Sequence, residues 1–97
     1  MAMKYRSRTD IVAQILQIAI AAEEGKGGVT RSHIANKGSL TLKQMKEYIP
    51  ILTEEGFLMD YYDNDRNERL YKTTEKGIKF LRLYHHLDAY LPTMMQN

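Results

Sequence analysis

LTLKQMKEYIPILTEEGFL, Leu40 to Leu58, carries a helix together with its own start and stop signals, and the face that helix presents governs the reading of the rest. The Thr41 hydroxyl can accept from the N3 amide while Gln44 reaches back to the Thr41 amide, the reciprocal capping box that opens a helix. Leu42, Met45, Ile49 and Leu52 follow at the three-four-three spacing of a buried face, and Gly56 stands where a helix terminates. At about 100° per residue, Lys43 and Glu47 then point away from the core, with Lys46 and Gln44 flanking them. Pro50 falls on the outer side and removes the bond to the Lys46 carbonyl. The spacing therefore predicts a straight segment from Thr41 to Ile49 and a bent continuation to Glu55. Either the kink shortens the part that can lie along a groove, or it is simply tolerated.

On the N-terminal side, Ile11, Ile15, Ile18 and Ala22 predict a helix from about Thr9 to Glu24. Ser7 and Asp10 resemble a capping box, and Gly25 fits a C-terminal glycine. Val29 suits a short edge strand. Thr30 or Ser32 can cap a short second helix that ends near Lys37, before the turn Gly38-Ser39. On the C-terminal side, Phe57–Tyr62 and Glu68–Thr73 are rich in strand-favouring residues and flank the turn-forming Asp63-Asn64-Asp65-Arg66-Asn67, which predicts a β-hairpin. Thr73 or Thr74 then caps a last helix, about residues 74–91, stopped by Pro92. The order is helix, short helix, tight turn, helix, hairpin, helix. That is an α+β, mainly α layout: a winged helix-turn-helix with a two- to three-stranded wing and an additional C-terminal helix.

A chain of 97 residues makes one domain, residues 1–97, with a single modest core. It has no cysteine, which excludes disulfides, thiolate metal sites and a cysteine nucleophile together. No apolar run approaches the ~20 residues of a membrane span, and the basic N-terminus precedes no apolar signal core. The expectation is a cytoplasmic protein with no membrane association. The net charge of +2 hides a sharp division. Between Arg31 and Lys46 stand Arg31, Lys37, Lys43 and Lys46 with no acid, whereas between Glu47 and Glu68 Arg66 stands alone against seven carboxylates. A polyanion would meet the first stretch and avoid the second.

The residues also carry a family likeness. RSRTDIVAQIL in the first helix, SHIANKGSLTLKQMKEYI across the two central helices, LTEEGFL before the hairpin and YKTTEKGIKFL entering the last helix span most of Arg6 to Leu87. In order and spacing they resemble the small archaeal winged helix-turn-helix DNA-binding proteins, including the chromatin-associated type that dimerises through an antiparallel coiled coil of C-terminal helices. The resemblance implies a homodimer that places its third helices in the major groove of double-stranded DNA, as a transcriptional regulator or chromatin-associated, nucleoid-bound protein. It makes Thr41, Lys43, Gln44 and Lys46 contact candidates.

Charge adds Arg31 and Lys37 to that set, with Lys4, Arg6 and Arg8 in support if the N-terminus folds alongside. Against this stands a solvated helix face on which Lys43 pairs with Glu47. Arg66 has two readings: insertion into a narrow minor groove, or a local pair with Asp63 or Asp65. In the last helix, Phe80, Tyr84, Leu87 and Leu91 form one stripe, and Ile78, Leu81, Leu83 and Tyr90 add apolar surface beside it. A helix apolar over more than half its circumference needs a second burial partner, here a copy of itself, so Phe80, Leu83, Tyr84, Leu87, Tyr90 and Leu91 are dimerisation candidates. The alternative function is a protein-interaction module that docks through the acidic hairpin and Tyr61, Tyr62 and Tyr71.

His85 and His86 diverge by about 100° on a helix and His33 has no obvious partner, so neither a metal nor any other cofactor is expected. Phosphate-binding glycine loops, a nucleophile elbow and paired carboxylates are all missing from the sequence, and no enzymatic activity is expected.

Overall fold

Ser7 and Asp10 open the first helix by capping each other: the Asp10 amide donates to Ser7 Oγ at 3.1 Å, and the Ser7 amide to Asp10 Oδ2 at 3.1 Å. The computed structural model describes residues 6–21 and 27–95, with side chains at 6–20 and 27–87. Helix α1 runs Arg8–Ala21. Gly25 lies outside the described residues. Helix α2, Arg31–Gly38, is capped by Thr30, whose hydroxyl accepts from the His33 amide. Helix α3, Leu42–Glu54, carries the full capping box expected of Thr41 and Gln44. It stays helical straight across Pro50, which is solvent-exposed, so its ring meets no core neighbour.

The end of α3 is a Schellman closure. Gly56 takes φ +83°, its amide donates to the Thr53 carbonyl, and the Phe57 amide reaches the Leu52 carbonyl at 2.9 Å. Strands β1, Leu58–Asp63, and β2, Glu68–Thr73, pair antiparallel with Leu58 opposite Thr73 and Asp63 opposite Glu68. Asp63 Oδ1 accepts from the Asp65 and Arg66 amides, an Asx turn that fixes the tip. The third strand of the wing is reduced to one bridge, Val29 to Tyr71. Helix α4 runs Glu75–Met95, past Pro92 rather than stopping before it.

Helix α1 is the centre of the fold. Ile15, Leu16 and Ala19 are wholly buried, and Ile34 of α2, Met45, Tyr48, Ile49 and Leu52 of α3, Leu58 and Tyr71 of the wing and Leu81 of α4 complete the core. Thr73 ties the wing to this helix, donating from Oγ1 to the Leu16 carbonyl at 2.8 Å. One member of the expected buried face of α3 is not buried: Leu42 is 69% exposed. At that end of the helix the buried residue is Leu40, at the position before the cap, which with Met45 at the fourth helical position supplies the two apolar residues of a hydrophobic staple.

Gly77, in the first turn of α4, lies so near the wing that a Cβ there would sit 2.6 Å from both the Phe57 carbonyl oxygen and Thr73 Cγ2. Helix propensity alone would make Gly77→Ala stabilising by about 1 kcal/mol. The expected outcome is the reverse, a loss of about 1–3 kcal/mol from overpacking. Thermal unfolding should show Tm falling by at least several degrees.

Candidate nucleic-acid interface

The surface built by α2 and α3 depends on the turn between them. Ser39, a non-glycine residue, takes φ +52°, its amide donates to Asn36 and the Leu40 amide to the Ala35 carbonyl. Two carbonyls of this turn are held by Arg6. Its Nη1 donates to the Gly38 carbonyl at 2.8 Å and to the Gln14 amide oxygen, and its Nη2 donates to the Ser39 carbonyl at 3.3 Å. The expectation that Arg6 supports phosphate binding is therefore corrected: its guanidinium is engaged with the chain's own turn. No local sequence signal announces this, because the partners are 32 and 33 residues away.

Arg8 is likewise engaged. Its Nη2 lies 3.2 Å from Glu47 Oε2, and its guanidinium sits over the Tyr48 ring at 5.8 Å. Glu47 thus pairs with α1 and not with Lys43. The one acid between Leu42 and Thr53 is neutralised from outside the helix. Lys4 lies outside the described residues.

What remains is a cationic surface. Arg31 and Lys37 on α2, and Lys43 and Lys46 on α3, are all exposed. Among the described residues none of the four has an ion-pair partner. Thr41 and Gln44 are present at the same helix end but differently disposed. The Thr41 hydroxyl and the Gln44 amide oxygen are the two acceptors of the capping box, which leaves Gln44 its NH2 donors.

The wing neutralises much of its own charge. Arg69 pairs across the strands with Asp60 at 2.8 Å, and Arg66 pairs with Asp63 at 3.8 Å. The Arg66 pair is an exposed contact at the outer limit of an ion pair. The tyrosines do not make one docking surface. Tyr71 is buried, Tyr61 donates to the Gly27 carbonyl, and Tyr62, which is exposed, bonds to Asn67.

On α4, Phe80 and Tyr84, both partly buried, pack against their own domain. Phe80 meets Phe57 edge-on at 5.7 Å and stacks on Tyr84, whose hydroxyl donates to Asp10. His85 reaches Gln17 at 3.0 Å. Leu83 and Leu87 are exposed, at 59% and 48%. The side chains of Tyr90 and Leu91 lie outside those described. Among the described residues no group of histidines and carboxylates is placed to hold a metal, and no helix is long and apolar enough to cross a membrane.

Two helices joined by a left-handed turn, followed by a two-stranded hairpin and packed on α1, define a helix-turn-helix with a wing. A family model described as winged helix-turn-helix matches residues 5–92. The chain belongs to that winged helix-turn-helix family. No curated protein sequence matches significantly. Among solved structures, a point mutant of Staphylococcus aureus MepR superposes with TM-score 0.76 at 16% identity, over 89% of this chain and 62% of that one. MepR itself, a transcription regulator of the Staphylococcus aureus multidrug efflux pump MepA, gives 0.72 at 18% identity over 90% and 63%. The S. aureus MepR–DNA complex gives 0.67 at 17% identity over 87% and 59%. At these identities the likeness is one of fold, and the chain spans about three fifths of the length of MepR.

The Arg6 clamp yields a direct test. Arg6→Ala leaves three acceptors without their charged donor, and hydrogen bonds to charged groups contribute about 1.5–3 kcal/mol each before solvent competes for the exposed ones. The expected result is a stability loss of about 1–3 kcal/mol in denaturant unfolding. Faster amide exchange at Leu40 should show that the turn is the part loosened.

Proposed function

We propose that this chain is a homodimeric DNA-binding protein, a transcriptional regulator or chromatin-associated protein of the cytoplasm or nucleoid, that lays α3 in the major groove of duplex DNA. The observation that carries the reading is the set Arg31, Lys37, Lys43 and Lys46: exposed, without ion-pair partners among the described residues, and mounted on two helices whose joint is locked by caps and by Arg6. The backbone that carries these cations is ordered before binding, and each phosphate they neutralise adds about 0.9 to the log–log salt slope. Lys43 and Lys46 serve both as phosphate contacts and as donors to guanine, and the Gln44 NH2 can donate to a base-edge acceptor. The existence of a MepR–DNA complex gives the shared fold a precedent.

Dimerisation is assigned to α4. At 1.5 Å per residue its 21 residues span roughly 30 Å. Leu83 and Leu87 lie on it four residues apart and exposed, so the same helix that packs Phe80 and Tyr84 inward offers an apolar edge outward for the antiparallel pairing that the sequence resemblance suggests. Such a dimer fits consecutive major grooves if its two α3 helices stand near ~34 Å apart.

Fluorescence anisotropy on a random duplex at several salt concentrations tests DNA binding. The wild type should lose affinity steeply with salt. Lys43→Ala combined with Lys46→Ala should weaken binding about tenfold or more and flatten the slope by about 0.9 for each contact removed. An unchanged slope would exclude α3 as the contact surface, and no binding at low salt would favour a protein-interaction module instead. For assembly, light scattering should give a dimer for the wild type and a monomer for Leu83→Glu with Leu87→Glu, both exposed positions whose change leaves the core intact.

A further inference from the structure

The most exposed of the large apolar side chains in the described residues is Leu42, at 69%, and it stands at the first position of α3. The others have local settings: Ile51 lines a pocket of about 250 Å³ with Val12, Phe57 and Phe80, Met59 and Tyr62 belong to the wing, and Leu83 and Leu87 to α4. Leu42 does not reach the core, whose residue at that end is Leu40. It is next to Lys43 and one helical turn from Lys46 on the same side of the helix, so the cations that would hold a phosphate backbone surround it. The polar side chains beside it have reduced reach, since the Thr41 hydroxyl and the Gln44 carboxamide oxygen are committed to the capping box.

We propose that Leu42 is a specificity-determining residue that packs on the 5-methyl group of thymine in the major groove, so that this end of α3 discriminates by apolar contact. The inference rests on the DNA-binding reading above and deepens it. Residues at the start of a recognition helix are those that meet base edges, and the thymine methyl is the one apolar group the major-groove edge presents. Its contact with a leucine that is largely exposed beforehand removes apolar surface from water on both sides, worth about fourfold in affinity for each methyl covered. The lysines provide attraction without choice of sequence, and Leu42 adds the choice.

The test uses the full chain and two alternating duplexes of equal length, one of dA and dT and the other of dA and dU, which differ only in the methyl group. Wild type should prefer the thymine duplex by about fourfold or more. Leu42→Ala, at an exposed site, should keep the wild-type melting temperature and salt slope, bind the uracil duplex as the wild type does, and lose the preference. Equal binding of both duplexes by wild type, or a preference that survives in Leu42→Ala, overturns the assignment of Leu42 while the DNA-binding reading stands. Failure to bind either duplex at low salt overturns the DNA-binding reading itself, and this inference with it.

Discussion

The angle between α2 and α3 is set by Gly38, Ser39, Leu40 and Thr41, and by one side chain from outside them. Ser39 has φ +52°, a conformation that costs an L-residue about 1–2 kcal/mol. The turn holds because it is over-determined. The Ala35 and Asn36 carbonyls receive the turn amides, the capping box fixes the residue that follows, and Arg6 bridges the Gly38 and Ser39 carbonyls to Gln14 of α1. Because α1 is also the helix against which the wing and α4 pack, the same guanidinium that closes the turn fixes α3 relative to the whole domain. The proposed entry of α3 into a groove would draw on such rigidity, since every freedom left in the turn would be lost on binding.

Electrostatics follow from this geometry more than from composition. The most acidic stretch of the sequence, Glu47 to Glu68, suggests a protein half of which repels nucleic acid. Folding removes part of that conflict, by pairing Glu47 with Arg8 and Asp60 with Arg69, cations from outside the stretch, while Arg66 pairs with Asp63 inside it. These exposed pairs contribute little stability. Their effect is on the field: Glu47 beside α3 and Asp60 of the wing are each offset by a cation distant in sequence, and among the described residues Arg31, Lys37, Lys43 and Lys46 have no ion-pair partner. The net +2 charge thus becomes a directional one.

What was legible in the sequence was what is local. Both capping boxes, a cap at Thr30 as one of two candidates, the glycine stop at Gly56, the hairpin turning after Asp63 and the exposed lysines of α3 all depend on residues within a turn or two of each other, and each is present in the fold. The features that escaped involve long-range partners or the ends of elements. Arg6 and Arg8 read as free cations because the Gly38 and Ser39 carbonyls and the Glu47 carboxylate that hold them are more than thirty residues away. Leu42 read as core because periodicity assumes that the whole helix lies over the core, whereas the first turn of α3 projects past it. Pro92 read as a stop, yet α4 continues to Met95, since a proline removes one bond and need not end a helix.

The last helix buries one apolar strip in the domain and leaves the next one exposed. Phe80, Leu81 and Tyr84 are drawn inward by Phe57, the core and Asp10 respectively, so the domain takes up one side of α4. Three residues after Phe80 and three after Tyr84, at about 300° around the helix in each case, Leu83 and Leu87 repeat on a neighbouring strip that the domain does not cover. A helix docked through one strip and still apolar on the next gains from a second partner only if that partner leaves the first strip undisturbed. Two-fold pairing through the outer strip meets that condition, because the Tyr84–Asp10 and His85–Gln17 bonds that anchor α4 lie on the inner side. In the proposed dimer, anchoring and association are independent, and the spacing between two α3 helices is a property of how the outer strips pair rather than of how each domain folds.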